Sequence, residues 1–111
     1  MKNLRIEPTS VNWEFEEKTI SVDVGGRIKG VHFVTSESTL LILSAERGEA
    51  EDLLAFNQDG TLRFSLRSPN GFFFSFSGVN GDVRVTCGYE LIKAKNYLIN
   101  FSKMSLEQNG I

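Results

Sequence analysis

Hydrophobic and polar residues alternate with a period of two along much of the chain, most regularly between Leu53 and Cys87. Residues 62–67 read LRFSLR, residues 72–76 read FFFSF and residues 83–87 read VRVTC. Such alternation is typical of β-strands that bury one face. The stretch therefore predicts a meander of four short strands, Phe-rich at its centre, joined by three tight turns.

The turns of this meander determine how its strands pair. If the apolar side chains share one face, the alternation predicts a three-residue loop at Gln58–Gly60, another within Ser68–Gly71 and a two-residue type I′ turn at Asn80-Gly81. The second loop would place Leu66 opposite Phe74. The predicted core face consists of Leu54, Phe56, Leu62, Phe64, Leu66, Phe72, Phe74, Phe76, Val83, Val85 and Cys87.

Short strands are also predicted on either side of the meander. The first three lie around Leu4, over Val11–Phe15 and over Ile20–Val24, and Tyr97–Phe101 suggests a last strand. With about eight or nine short strands and no sustained helical period, the pattern predicts an all-β fold. We expect one domain over residues 1–111, an antiparallel β-sandwich or flattened barrel in which the N-terminal strands face the meander.

A further hairpin, Arg27–Val34 with Thr39–Leu43, is apolar on both faces. Strands of this kind are covered on both sides. The best register by side-chain pattern places Phe33 opposite Leu41 and His32 opposite Ile42.

Composition narrows the possible partners. The 111 residues carry a net charge of −2, which argues against nucleic acid and leaves a basic protein as a possible partner. The apolar runs are too short to span a membrane, and the first ten residues lack the apolar run of a signal peptide. One cysteine cannot form an internal disulfide. We therefore expect a cytoplasmic protein.

The chain offers little for catalysis. His32 is the only histidine and lies on a mostly apolar face, so a structural role is favoured over that of a general base. Cys87 lies among Phe and Val positions, which predicts a buried, inert thiol. The spacing of His, Cys, Asp and Glu matches no metal site. We expect a protein that is not an enzyme and that uses neither metal nor cofactor.

Two acidic segments are candidates for binding a partner. Ala45–Asp52 is a loop or a short helix weakened by Gly48; it is either a solvated connection or a site for a cationic partner. In Trp13–Glu17 aromatic and acidic residues alternate, which indicates either a charged edge strand or a contact surface. The candidate partner-binding residues are Glu46, Glu49, Glu51, Asp52, Trp13, Glu14 and Glu16.

The segment Leu53–Cys87, with its turn pattern NQDG, SPNG and VNGD, resembles a blade of a β-propeller. It is also similar to small bacterial proteins with one such meander, some of which look like immunity proteins of contact-dependent growth inhibition and other polymorphic toxin systems. The resemblance implies a cytoplasmic protein that neutralises a cognate toxin domain, commonly a nuclease, by covering its active site. The alternative is a β-sandwich module that binds a small ligand or carbohydrate, with Trp13 or Tyr89 as a stacking platform.

Overall fold

The computed structural model describes residues 1–79 and 82–108. These residues form eleven β-strands and two single-turn 3-10 helices, Thr35–Glu37 and Leu91–Lys93, which confirms the all-β prediction. The strands are β1 (Lys2–Ile6), β2 (Ser10–Phe15), β3 (Lys18–Asp23), β4 (Arg27–Val34), β5 (Thr39–Ala45), β6 (Asp52–Asn57), β7 (Leu62–Arg67), β8 (Phe72–Val79), β9 (Asp82–Gly88), β10 (Lys95–Asn100) and β11 (Ser105–Gln108). The eleventh, β11, is a strand that the polar tail did not suggest.

The described strands make three antiparallel sheets: β1-β2-β3, β4-β5-β6-β7 and β11-β10-β9-β8. Two apolar clusters lie on opposite faces of the central sheet. One cluster joins it to the β8–β11 sheet and includes Leu41, Leu43, Leu53, Phe64, Phe73, Val85 and Ile99. The other joins it to the β1–β3 sheet and includes Val11, Trp13, Val22, Leu40, Ile42 and Phe56.

Strand β5 is buried along its whole length because each of its faces meets a different cluster. Leu41 and Leu43 belong to one cluster, while Leu40 and Ile42 belong to the other. This confirms the prediction that the strand is covered on both sides. Each such side chain contributes about 1.5–3 kcal/mol by burial before conformational entropy is subtracted.

The prediction that the four meander strands form one sheet is wrong. Strands β6 and β7 complete the central sheet, whereas β8 and β9 belong to the third sheet, so Leu66 is not paired with Phe74. The hydrogen bonds at the crossing explain the division. Ser68 N–H donates to the carbonyl of Glu51 at 2.9 Å and Phe73 N–H to the carbonyl of Ala50 at 2.7 Å, so the β5–β6 loop takes donors that a hairpin would have used.

Two register shifts also change which side chains face inward. The Gln58–Gly60 turn and the pairing of Phe56 with Leu62 are as predicted, but the Leu62 side chain is 55% exposed. The register shifts between Ala55 and Phe56. Phe64 therefore lies opposite Ala55 and not, as predicted, opposite Leu54. In the β8–β9 pair, Phe73 lies opposite Cys87 and is 2% exposed. Phe72 and Phe74 are only half-buried. A bulge adds one residue to one strand, and period-2 alternation cannot reveal it.

The β4–β5 register differs by one residue from the prediction. Phe33 lies opposite Leu40 and His32 opposite Leu41, because the connection has four residues rather than three. Those four residues form the 3-10 turn and end at Ser38, whose φ of 50° is left-handed. The predicted type I′ turn at residues 80 and 81 lies outside the described residues.

Candidate functional site

Strand register divides the loops between two ends of the molecule. At one end lie the β5–β6 loop, the β7–β8 crossing at residues 68–71 and the β9–β10 connection. At the other end the β2–β3 turn lies beside the β6–β7 turn, where the indole Nε1 of Trp13 donates to the carbonyl of Gln58 at 2.7 Å. The two acidic segments are therefore at opposite ends, separated by the length of β6, about 17 Å.

The segment at residues 45–52, called the acidic loop below, connects β5 to β6 and is not helical. Its second half is fixed in place. Ala50 is 1% exposed, and its carbonyl and that of Glu51 accept the hydrogen bonds from the β7–β8 crossing. Glu51 N–H in turn donates to the carbonyl of Ser44 at 3.2 Å. The loop is therefore a defined platform for the exposed side chains of its first half.

Arg67 neutralises part of the acidic loop. Its Nη2 lies 2.9 Å from a carboxylate oxygen of Glu51, and its Nε lies 3.5 Å from one of Asp52. The Arg67 side chain is 72% exposed, so each contact contributes at most about 1 kcal/mol. Among the described residues no ion pair includes Glu46 or Glu49. Arg47 lies between them in the sequence and is in none of these ion pairs either, so the first half of the loop displays two carboxylates and one guanidinium.

The other predicted acidic segment is less suited to contact a partner. Strand β2 lies between β1 and β3, so it is a central strand and not an edge. Trp13 is 1% exposed and packs in the second apolar cluster, which leaves no surface for a partner or a ligand. Glu14 and Glu16 are exposed, and Glu14 accepts a hydrogen bond from the side-chain amide of Asn3 at 2.5 Å.

His32 and Cys87, the two residues considered for catalysis, lie in apolar surroundings. The ring of His32 packs beside that of Phe76, with centroids 5.8 Å apart. Burial raises the pKa of the Cys87 thiol to about 11, so the thiol is protonated at neutral pH. In residues 1–79 and 82–108, His, Cys, Asp and Glu side chains form no group of three that could hold a metal ion.

A second exposed feature lies at the same end as the acidic loop, and the sequence pattern singled out only its Tyr89. Residues 89–93, called the apolar turn below, expose Tyr89, Leu91 and Ile92 by 74%, 68% and 97%. Their order, YELIK, follows no period of two, which was the available signal that this segment is neither strand nor ordinary polar loop.

No helix in the part of the chain that the structure describes is long and apolar enough to cross a membrane. Comparison with known proteins gives no relatives: no family model, no curated protein and no solved structure matches the chain.

Proposed function

We propose that the chain is a cytoplasmic immunity protein that binds a cognate toxin domain, a nuclease, and blocks its active site. The observation that carries the proposal is the acidic loop: an exposed connection, fixed by its neighbours, that displays two carboxylates without ion-pair partners. A nuclease cleft must be basic because it holds a polyanionic substrate. Carboxylates on a preformed loop can bind the basic groups of such a cleft in place of the phosphates of the substrate.

Binding in this way needs no chemistry from the chain itself. Opposite charges speed the encounter and set orientation, and occupation of the cleft excludes the nucleic acid. The alternative, a module that binds a small ligand or carbohydrate, loses one of its two stacking platforms because Trp13 is buried. It would depend on Tyr89 alone.

The proposal predicts that the gene directly upstream in the source genome encodes a toxin domain, and the test uses that domain; a neighbouring gene of another kind would count against the proposal. Cells expressing that domain are scored for growth with and without the chain, and binding of the purified proteins is followed at two salt concentrations. We expect the chain to protect. Glu46→Gln with Glu49→Gln should slow association about tenfold at low salt and flatten the salt dependence, because steering by charge is screened by ions.

The matched control removes two exposed carboxylates from the opposite end, Glu14→Gln with Glu16→Gln. It changes the net charge by the same amount, so any difference between the variants reports position. Failure of the unmodified chain to bind or protect would refute the proposal. Equal association rates for the two variants would show that the acidic loop is only a solvated connection.

A further inference from the structure

The apolar turn concentrates the three most exposed large apolar side chains of the described residues. Ile92 is 97% exposed, and Leu91 and Tyr89 lie within three residues of it. Single exposed apolar residues are ordinary, but three large ones on one short turn form a patch of the kind that marks an interaction site. Burying such side chains on binding is a principal source of affinity at interfaces.

The apolar turn is held in one conformation. Within it, Lys93 N–H donates to the carbonyl of Glu90 at 3.1 Å and Ala94 N–H to that of Leu91 at 3.2 Å. The ring of Tyr89 meets that of Phe72 edge-on, with centroids 6.0 Å apart. An anchor that is already ordered loses little conformational entropy on binding.

Close backbone packing fixes the base of the turn. Gly71 has a φ of 68°, and a Cβ there would lie 2.4 Å from the carbonyl of Gly88. A Cβ on Gly88 would lie 2.9 Å from the Cα of Ala94. The β7–β8 crossing and the β9–β10 connection therefore touch through glycines, and neither can shift freely.

A short path of contacts connects the apolar turn to the acidic loop. Phe73 bonds to Ala50 in the loop, while its neighbour Phe72 pairs with Gly88 and contacts the ring of Tyr89. A standard protein interface covers about 800 Å² on each partner. One interface of that size at this end of the molecule can include both features.

We infer that the apolar turn is the affinity anchor of an interface with a basic protein, in which the acidic loop supplies the steering charge. The inference rests on the proposed function and adds to it the chemistry of the partner: an apolar pocket beside a cationic cleft. Leu91 and Ile92 enter the pocket, Tyr89 lies at its edge, and Glu46 and Glu49 face the cleft.

Charge decides between a basic protein and the other possible occupants. The Nζ of Lys93 lies 4.0 Å from a carboxylate oxygen of Glu90, so the turn itself is neutral, whereas the acidic loop beside it holds four carboxylates against Arg47. An anionic membrane surface would be repelled by the acidic loop beside the turn. A second copy of the chain, related by a two-fold axis through the turn, would bring two acidic loops towards each other. A cationic surface, by contrast, is attracted by the neighbouring carboxylates.

The experiment measures dissociation of the same upstream toxin domain from immobilised protein. The test variant is Leu91→Ser with Ile92→Ser, and the matched control is Leu62→Ser, which removes a side chain that is 55% exposed at the opposite end. Neither change touches a buried position, so thermal unfolding should be unchanged. We expect the test variant to dissociate at least about tenfold faster with its salt dependence retained, and the control to match the unmodified chain.

Other outcomes separate the two proposals. If the unmodified chain binds the toxin domain and the test variant dissociates at the same rate, the turn is not the anchor and the proposed function stands. If the unmodified chain does not bind, both fail. Sedimentation showing a dimer that the variant abolishes, or vesicles of phosphatidylglycerol and phosphatidylcholine retaining the chain but not the variant, would overturn the inference in favour of those occupants.

Discussion

At the scale of single residues, backbone strain is concentrated in the β2–β3 turn. Phe15 pairs with Lys18, and the two residues between them, Glu16 and Glu17, have φ values of 50° and 65°. Positive φ at both central positions is the geometry of a type I′ turn, which Asn-Gly adopts most readily. For a residue with a Cβ, the left-handed conformation costs about 1–2 kcal/mol.

The first prediction follows from this strain. Glu16→Asn with Glu17→Gly should raise the free energy of unfolding by about 1–2 kcal/mol, because both new residues tolerate positive φ better than glutamate does. Urea denaturation measures the change. Glu16→Gln with Glu17→Gln removes the same two charges but keeps the Cβ atoms and long side chains. If that control is stabilised equally, charge repulsion rather than backbone strain is responsible.

At the scale of elements, the sequence located most strands and the partners within three hairpins, β4–β5, β6–β7 and β8–β9, but not the pairings that assemble the sheets. Strands β2 and β3 lie where the alternation placed them, and β5 is covered on both faces as its apolar run predicted. Alternation reports which side chains of one strand share a face, a local property. The division of the meander into two sheets depends on the acidic loop capturing Ser68 and Phe73, a contact between distant segments.

The candidate site divides in the same way. The acidic loop was found from composition because a concentration of carboxylates is visible in the sequence itself. Trp13 was misplaced because its burial depends on the β1–β3 sheet packing against Ile42 and Phe56 in the central sheet. The exposure of Leu91 and Ile92 was not predicted, because it depends on whether another segment packs over the turn. Such a contact between distant segments cannot be inferred from the local sequence.

The bulge in β8 gives an element-scale prediction with an internal control. Phe73→Ala should lower the free energy of unfolding by about 3–5 kcal/mol, since the side chain is 2% exposed and its loss leaves a cavity. Phe74→Ala removes the same atoms from a half-buried position and should cost less than half as much. Urea denaturation of both variants decides the phase of the strand. The reverse order would restore strict alternation and place the bulge elsewhere.

At the scale of the whole molecule, strand β5 belongs to both apolar clusters, which couples all three sheets. Loss of the β1–β3 sheet would expose Leu40 and Ile42, and loss of the β8–β11 sheet would expose Leu41 and Leu43. If either outer sheet unfolds, apolar side chains of β5 become exposed, and β5 also forms the core beneath the other outer sheet. We therefore expect the chain to unfold as a single domain, in one cooperative transition.

The only tryptophan makes this cooperativity measurable. Trp13 is 1% exposed in the cluster beneath the β1–β3 sheet, so its fluorescence reports that side of the molecule, while far-ultraviolet circular dichroism reports all the strands. Ile99→Ala removes a side chain from the opposite cluster and should cost about 2–5 kcal/mol. We expect the two signals to give coincident urea transitions in both the unmodified chain and the variant, shifted by the same amount. A fluorescence midpoint that stays in place while the dichroism midpoint falls would mean that the β1–β3 sheet and its cluster unfold as a separate unit.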